Sequence, residues 1–235
     1  MEEMNRSEIV RISKLMYEKD MVNALEGNVS VKEGSRITIT PASICKGSLK
    51  EEMLVVVDEE GNVIEGDYKP TSEMKLHLEC YRLRKDITCV IHNHSPYATA
   101  FALANKPIES KAYPEMMVIF DKIPVVAYGT PSTEEIYADV KNYIDKTDVF
   151  LLSRHGVVSV GSDLNDAFFK IEAVESIAKK LTIVKSLGGE APLSEEQIDK
   201  LYEIRKNVFL LDKEFRRNSC QVKNRAVKKQ PLKES

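Results

Sequence analysis

Three of the four histidines lie in two short segments with apolar neighbours. His92 and His94 follow the apolar run 88–91, which predicts a buried strand, and residues two apart on a strand share one face at roughly 6–7 Å. His155 follows a second apolar run, residues 149–152, and could supply a third imidazole nitrogen. Three protein ligands with an open fourth position are typical of catalytic zinc, a Lewis acid. A histidine beside an apolar strand is more often a core or turn residue, but this combination favours a metal site.

Residues 70–73, with the sequence Pro-Thr-Ser-Glu, allow two interpretations. Thr71 or Ser72 could cap a helix that runs through Leu83, and Glu73 would then be a first-turn acid that the helix dipole favours. Free backbone N–H groups and two hydroxyls at a helix start also suit a phosphate. In that case Glu73 follows the phosphate site directly, and it could act as a metal ligand, a general base, or each in turn. The local sequence leaves both interpretations open.

Two small polar breaks lie next to predicted strands, at Gly27-Asn28 and at Ala42-Ser43. Each is an ordinary turn when it is considered alone. Glycine beside asparagine also lets the backbone and a carboxamide approach a ligand oxygen closely. Both breaks are therefore candidates for ligand contact as well as for chain reversal.

The fourth histidine, His77, stands apart from the other three. It lies on the predicted second helix, between Lys75 and Glu79. Charged neighbours on a helix indicate a solvated face. We therefore expect His77 at the surface, or in a supporting position behind the metal ligands.

The order of apolar patterns and turn residues predicts alternating helices and strands. Helices are predicted over residues 5–24, 70–83, 96–103, 132–146, 163–187 and 194–215. Strands are predicted at residues 29–31, 37–40, 54–57, 88–92, 118–120, 125–128, 149–152 and 157–160. Several connections are too short for parallel crossovers. A mixed or antiparallel sheet with helices on both faces therefore fits better than a dinucleotide-binding fold, and no glycine-rich nucleotide motif is present.

Composition places the chain among globular proteins. It has 235 residues, 43% of them hydrophobic, and a net charge of −3, which gives no sign of a nucleic-acid partner. The segment 216–235 carries a charge of +6, has little apolar content and is predicted to be a mobile, solvated tail. No run has the length of a membrane span or signal peptide. The four scattered cysteines indicate reduced thiols in a cytoplasmic protein.

Five short motifs occur in a fixed order: GNVS at 27–30, TPAS at 40–43, PTSE at 70–73, HNH at 92–94 and RHG at 154–156. Together they resemble the class II aldolase/adducin family over about residues 7–200. The resemblance implies an α/β fold, a three-layer α/β/α sandwich around a central, mostly antiparallel mixed sheet, formed by residues 1–215. It also implies a homotetramer whose active sites lie between subunits.

The resemblance further implies roles for individual residues. His92, His94, His155 and Glu73 would hold a zinc ion, although imidazole and carboxylate ligands also suit manganese or cobalt. Glu73 would transfer the proton once substrate displaces it from the metal. Tyr113 would reach in from the neighbouring subunit to the aldehyde oxygen, with Glu115 as a competing acid. The residues that would surround the substrate phosphate are Gly27, Asn28, Ala42, Ser43, Thr71 and Ser72.

The predicted function is that of a zinc-dependent aldolase. It would split a ketose 1-phosphate, a small sugar phosphate, into dihydroxyacetone phosphate and a short aldehyde through a zinc-stabilised enediolate. The alternatives are a pentulose-phosphate 4-epimerase and a sugar-acid-phosphate decarboxylase of the same family. The epimerase branch carries aspartate where this chain has Glu73. A non-catalytic interaction module of the adducin type would lack the metal ligands, so the sequence disfavours that class.

Overall fold

The computed structural model of this chain describes residues 2–209. The predicted basic tail, 216–235, and the end of the helix predicted over 194–215 lie outside the described residues. The described part contains eight strands: β1 (Asn28–Glu33), β2 (Arg36–Ile39), β3 (Val55–Val57), β4 (Val63–Glu65), β5 (Cys89–Asn93), β6 (Val125–Val126), β7 (Val149–Leu152) and β8 (Gly156–Gly161). It also contains five α-helices: α1 (Glu2–Glu18), α2 (Met74–Leu83), α3 (Pro96–Leu103), α4 (Leu164–Ser186) and α5 (Glu195–Asn207).

All eight strands belong to one mostly antiparallel sheet, as the short connections predicted. The strand order is β4-β3-β2-β1-β5-β8-β7-β6, and only the β6–β7 pair is parallel. The central strand β5 pairs with β1 on one side and with β8 on the other. The first residue of β1, Asn28, lies opposite His92, and Val157 of β8 lies opposite Asn93. Both neighbours therefore reach the end of β5 that carries the histidines.

The two faces of the sheet bury separate apolar clusters, because side chains alternate along each strand. Ile91 of β5 packs in a cluster with residues of α1, α3 and α4. Val90, its neighbour, packs in a cluster with residues of α2 and of the turns at 134–137 and 140–142. These two clusters form the layers of the predicted α/β/α sandwich, and the predicted fold class is confirmed.

Two predicted elements are wrong because contacts distant in sequence override the local pattern. Residues 118–120 were expected as a strand, but Met116–Phe120 form one π-helical turn. The buried guanidinium of Arg205 donates to the carbonyl of Val118 at 2.8 Å, which holds this turn against α5. The helix expected over 132–146 is replaced by the 3-10 turns Glu134–Tyr137 and Val140–Asn142.

The chain around residue 139 shows why that helix does not form. The Asp139 carboxylate accepts hydrogen bonds from the Ala127 backbone and from the Asn142 side chain. Such side-chain bonds compete with the helical backbone pattern. Ile136 and Val140, four residues apart, are nevertheless buried, as they would be on a helix.

The element ends that shape the site agree better with the sequence. Residues 149–160 form the predicted hairpin, β7 and β8, with His155 in the turn between them. The Asp163 carboxylate caps α4 by accepting from the Asp166 backbone at 2.9 Å. The first helix is shorter than predicted and ends at Glu18 rather than near residue 24. Among the described helices, none combines the length and the apolar character that a membrane span requires.

Candidate metal centre

Two strand ends bring the three predicted histidines together. His92 is the fourth residue of β5 and His94 follows the strand, while His155 occupies the β7–β8 turn. The Nε2 atom of His92 lies 2.9 Å from that of His94 and 3.1 Å from that of His155. In a tetrahedral site with Zn–N bonds of about 2.0–2.1 Å, ligand nitrogens lie about 3.3 Å apart. The three nitrogens are thus spaced as one ion requires.

The room for these rings depends on Gly156, directly after His155. A Cβ atom on Gly156 would lie 2.5 Å from the Asn93 carbonyl oxygen, 2.7 Å from His94 and 2.9 Å from His92. Real Cβ atoms essentially never approach other atoms this closely. The glycine of the RHG motif is therefore required by the close approach of two imidazoles and a carbonyl.

The hydrogen bonds on the far side of the rings fix which nitrogen faces the cluster. His92 Nδ1 lies 2.9 Å from the Val157 carbonyl, which can only accept, so Nδ1 carries the proton and Nε2 a lone pair. His94 Nδ1 lies 3.3 Å from the Glu26 carboxylate and is protonated for the same reason. Two lone pairs 2.9 Å apart repel each other unless a cation lies between them. The donor set therefore fits a metal ion.

Burial keeps the His92 and His94 imidazoles neutral. His92 is fully buried, and burial lowers its pKa to about 3 despite the nearby Glu73 carboxylate. Burial also lowers the pKa of His94, and the neighbouring His155 adds to this effect. Neutral imidazole is the form that binds a metal.

The Glu73 carboxylate completes the group of possible metal ligands. Its Oε1 atom lies 2.8 Å from His155 Nε2, and its Oε2 atom lies 3.3 Å from His92 Nε2. Burial alone would raise the pKa of Glu73, but His92, His155 and a 2.9 Å hydrogen bond from Asn28 Nδ2 hold it below its ordinary value. Among the described residues, no hydrogen bond of good geometry reaches the buried Oε1. An ionised carboxylate beside the His92 and His94 lone pairs is a suitable fourth ligand.

The chain before α2 corrects one of the two interpretations of residues 70–73. Helix α2 begins at Met74, its N-cap residue is Glu73, and no side chain caps it. Thr71 and Ser72 therefore precede the helix instead of capping it. The Thr71 backbone N–H donates to the Thr40 carbonyl, so this segment pairs with the segment at 40–43.

A cavity of about 420 Å³ opens beside the metal-ligand group. Its wall contains all six residues that the resemblance assigned to phosphate, together with Glu73, His94 and His155. Ser43 has a φ of +58°, a left-handed conformation that costs energy for a residue other than glycine. Such strain is common where a loop is shaped for a ligand. The complete wall consists of Leu25, Glu26, Gly27, Asn28, Pro41, Ala42, Ser43, Lys46, Lys69, Thr71, Ser72, Glu73, His94, Pro131, Ser132 and His155.

Comparison with known proteins identifies the family. The family model described as Class II Aldolase and Adducin N-terminal domain matches residues 7–182. The chain belongs to this family. The L-fuculose phosphate aldolase of Methanococcus maripaludis is 37% identical over 185 residues, which cover 79% of this chain and 99% of the relative.

Another relative shows the breadth of the class II aldolase and adducin family. The 3-oxo-tetronate 4-phosphate decarboxylase of Haemophilus influenzae is 33% identical over 176 residues, which cover 73% of this chain and 83% of the relative. A solved structure described as L-fuculose 1-phosphate aldolase matches with a TM-score of 0.78 at 31% identity, over 86% of this chain and 96% of that chain. The predicted family is confirmed, and the relatives of this chain include proteins named as fuculose-phosphate aldolases.

Three charged residues of the cavity wall, Glu26, Lys46 and Lys69, were missed from the sequence. Glu26 contacts His94, and Lys46 is only 2% exposed, with its Nζ atom donating to the Ile44 carbonyl at 2.9 Å. Burial lowers the pKa of the Lys46 ammonium group. None of the three belongs to one of the five motifs, although Glu26 directly precedes GNVS, Lys46 follows TPAS by three positions and Lys69 directly precedes PTSE. That proximity was the only available signal.

Tyr113 lies apart from the cavity of its own chain. Its hydroxyl accepts a hydrogen bond from Lys180 Nζ at 2.8 Å, and the residue does not belong to the cavity wall. Glu115, the competing acid, is exposed two residues further along. Both assignments would require a neighbouring subunit, which the family resemblance implies, and they stay predictions.

His77 is completely buried, so its expected surface position is wrong. Its neighbours in the helix, Lys75 and Glu79, indicated a solvated face, but His77 points towards β1 and contacts Asn28 and Ser30. Burial lowers its pKa to about 4. The alternative expectation, a supporting position behind the metal ligands, agrees with its contact to Asn28, which itself binds Glu73.

Proposed function

We propose that this chain is a metal-dependent aldolase that cleaves a ketose 1-phosphate into dihydroxyacetone phosphate and a short aldehyde. One observation carries the proposal: three imidazole nitrogens and the Glu73 carboxylate converge at the wall of a cavity rich in hydroxyl groups and in lysine. A relative named for cleavage of fuculose phosphate supports this choice of reaction.

His92, His94, His155 and Glu73 would hold the metal. A bound zinc ion would supply Lewis-acid stabilisation of the enediolate that forms when the C–C bond breaks, and manganese or cobalt could do the same. The protein contributes neutral imidazoles and a rigid frame, since both strands that deliver the histidines are buried in the sheet.

Glu73 is the residue that moves the proton at carbon. In cleavage, the electron pair of the C3–C4 bond stays on the dihydroxyacetone phosphate carbon, and Glu73, which must carry a proton in this direction, delivers it to that carbon. In synthesis, the Glu73 carboxylate removes the same proton. Its pKa is held below the ordinary value in the free site, so it begins the synthetic direction as a base.

The proton on the aldehyde side needs a second group. In cleavage, the C4 hydroxyl must lose its proton as the aldehyde forms, and the phenolate form of Tyr113 of a neighbouring subunit would accept it. This role requires the homotetramer that the family resemblance implies. In synthesis, Tyr113 would return the proton to the aldehyde oxygen.

The cavity wall would bind the non-reacting phosphate end of the substrate. Ser43, Thr71 and Ser72, which carry hydroxyl groups, line it together with Gly27, Asn28 and Ala42. Lys46 adds a buried cation. Binding energy from the phosphate would then fix the reacting carbons beside Glu73, which is how remote contacts accelerate chemistry.

A decarboxylase acting on a sugar-acid phosphate is the second candidate, because one relative carries that name. It would use the same enediolate chemistry and the same phosphate cavity. The 4-epimerase is less favoured, since this chain has glutamate rather than aspartate at position 73.

The deciding experiment incubates zinc-loaded protein with dihydroxyacetone phosphate and a panel of aldehydes: lactaldehyde, acetaldehyde, methylthioacetaldehyde and glycolaldehyde. Mass spectrometry detects the ketose 1-phosphate, and a chelator provides the control. A chelator-sensitive product supports the aldolase and names its aldehyde. If protein containing one metal per chain gives no product with any aldehyde, the aldolase proposal is refuted. The decarboxylase and epimerase activities would then be assayed.

A further inference from the structure

Behind the Glu73 carboxylate, four buried side chains form one continuous row of hydrogen bonds. The Tyr81 hydroxyl lies 2.7 Å from Ser30 Oγ, and Ser30 Oγ lies 2.7 Å from His77 Nδ1. His77 Nε2 lies 2.5 Å from Asn28 Oδ1, and Asn28 Nδ2 donates to Glu73 Oε2 at 2.9 Å. None of the four side chains is more than 3% exposed. The row ends at the carboxylate to which the proposed function gives the proton transfer.

Two sequence spacings build this row. Asn28 and Ser30 lie two apart on β1 and therefore project from the same face of the sheet. His77 and Tyr81 lie four apart on α2 and therefore share one face of the helix. The helix packs on that face of the sheet, so the side chains alternate between strand and helix. The arrangement follows from regular secondary structure and needs no unusual backbone.

The direction of every hydrogen bond in the row follows from the ionised carboxylate. Glu73 can only accept, so Asn28 must present its nitrogen to it and its oxygen to His77. His77 must then carry its proton on Nε2, which leaves Nδ1 as an acceptor. The Ser30 hydroxyl then donates a hydrogen bond to that Nδ1, and its oxygen accepts one from the Tyr81 hydroxyl. All donors point towards Glu73, and bonds aligned in this way strengthen one another.

The row is not a path for protons to solvent. The Asn28 carboxamide separates Glu73 from His77, and an amide does not exchange its protons as an imidazole does. At the far end, the Tyr81 hydroxyl is buried against Thr88, and burial raises its pKa well above the ordinary value. The groups of the row are therefore suited to orientation and not to proton transfer.

We propose that His77 is a positioning residue for Glu73: it locks the Asn28 carboxamide so that the amide nitrogen always faces the carboxylate. Ser30 and Tyr81 in turn fix the tautomer of His77. Without the His77 donor, Asn28 can rotate and turn its oxygen towards Glu73, which would repel the carboxylate from its working position. This role rests on the proposed function of Glu73, but the geometry behind it can be tested without turnover.

The first test is ¹⁵N NMR of histidine-labelled, zinc-loaded protein at neutral pH, with the His77 signals assigned by their loss in His77→Phe. The expected result is a neutral His77 with its proton on Nε2. A proton on Nδ1 would reverse the row and overturn the proposal. Because no substrate is needed, this result stands even if the protein turns over none of the aldehydes.

The second test compares kinetic constants of variants in the aldol reaction. His77→Phe should lower kcat by about tenfold to hundredfold, the scale of one lost buried hydrogen bond with its partner left unsatisfied. KM for dihydroxyacetone phosphate and the zinc content should change less than about threefold, within ordinary context effects. His77→Gln, whose amide nitrogen can still donate to Asn28, should recover part of the loss. The matched control is Cys80→Ala, a change at a fully buried residue of the same helix, which should keep kcat.

The last arm places His77→Phe in a Glu73→Gln background. If His77 acts through the carboxylate, the second substitution should add little to the first, as expected for coupled residues. Full additivity, or a wild-type kcat in folded His77→Phe, would overturn the proposal. A wild-type protein without aldolase activity would instead refute the proposed function and leave the NMR result to decide the geometry.

Discussion

Replacing Gly156 with alanine should lower the metal affinity of the site strongly, while the sheet should lose only a moderate amount of stability. The new Cβ atom would lie 2.5 Å from the Asn93 carbonyl oxygen, where about 3.0 Å is the practical minimum. Strands β5 and β8 would therefore have to separate by about 0.5 Å, or the His92 and His94 rings would have to turn. Metal–ligand distances tolerate only about 0.2 Å. Either movement exceeds what the ligand geometry allows.

The loss of stability and the loss of metal affinity can be measured separately. Overpacking costs about 1–3 kcal/mol of stability, and misplaced ligands cost roughly tenfold to hundredfold in metal affinity, the scale seen for lost supporting contacts. Gly161→Ala is the matched control, because Gly161 lies at the other end of β8, away from the histidines. Its new Cβ atom would lie 2.7 Å from the Ala167 backbone nitrogen. We expect both variants to lose stability and only Gly156→Ala to lose metal affinity.

The assay is competition for zinc against a chromophoric chelator, together with urea unfolding of the metal-free proteins. Urea unfolding measures the cost to the sheet, and chelator competition measures the cost to the site. If Gly156→Ala binds zinc as tightly as wild type while losing as much stability as Gly161→Ala, the argument from ring packing is refuted. Equal losses of affinity in both variants would show that general strain in β8, and not the contact with the rings, weakens the site.

Three further predictions follow from the site. Glu73→Gln keeps the shape of the side chain but loses its charge, so turnover should fall about 10²- to 10⁴-fold. Atomic absorption should still find one zinc per chain. Near-normal turnover would refute the role of Glu73. Lys46→Met should raise KM for dihydroxyacetone phosphate about tenfold or more, the scale of a lost charge-assisted bond, and unchanged KM would exclude Lys46 from phosphate binding. The folded-state pKa of His77 is lowered from 6.5 to about 4, so the unfolded chain binds its proton first as the pH falls through this window. In the metal-free protein, His77 should therefore contribute about 3 kcal/mol to the drop in the free energy of unfolding, measured with urea, between pH 6.5 and 4. His77→Phe should lose that part of the dependence; an equal slope in both would contradict the prediction.

The sequence predicted the parts of the fold whose patterns are local. Strand β5 and the β7–β8 hairpin consist of continuous apolar runs bounded by turn residues, and those patterns survive any tertiary arrangement. The edge strand β4 was missed because all three of its residues are exposed and its apolar pair, Val63 and Ile64, shows no alternation. The π-helical turn at 116–120 depends on Arg205, almost ninety residues away, and no local pattern records that contact.

The burial of His77 was not predicted for a related reason. Lys75 and Glu79 flank it at two positions on either side, which places them on different faces of a helix of 3.6 residues per turn. The buried residues Leu76, Cys80 and Tyr81 lie one, three and four positions away and define the face that His77 shares. Helical periodicity would have found this burial, whereas the nearest charges suggested the surface.

Strand register explains how one sheet holds both the core and the chemistry. Asn28 pairs with His92 and Ser30 with Val90, so these four residues of β1 and β5 share the face that α2 covers. Their neighbours Val29 and Ile91 face the opposite apolar cluster. A slip of one residue would turn His92 and Asn28 into that cluster, where polar groups without partners are costly. The hydrophobic pattern that fixes the register therefore also holds Asn28 and His92 beside Glu73, and substitutions that weaken the β1–β5 pairing should impair the metal centre before they unfold the chain.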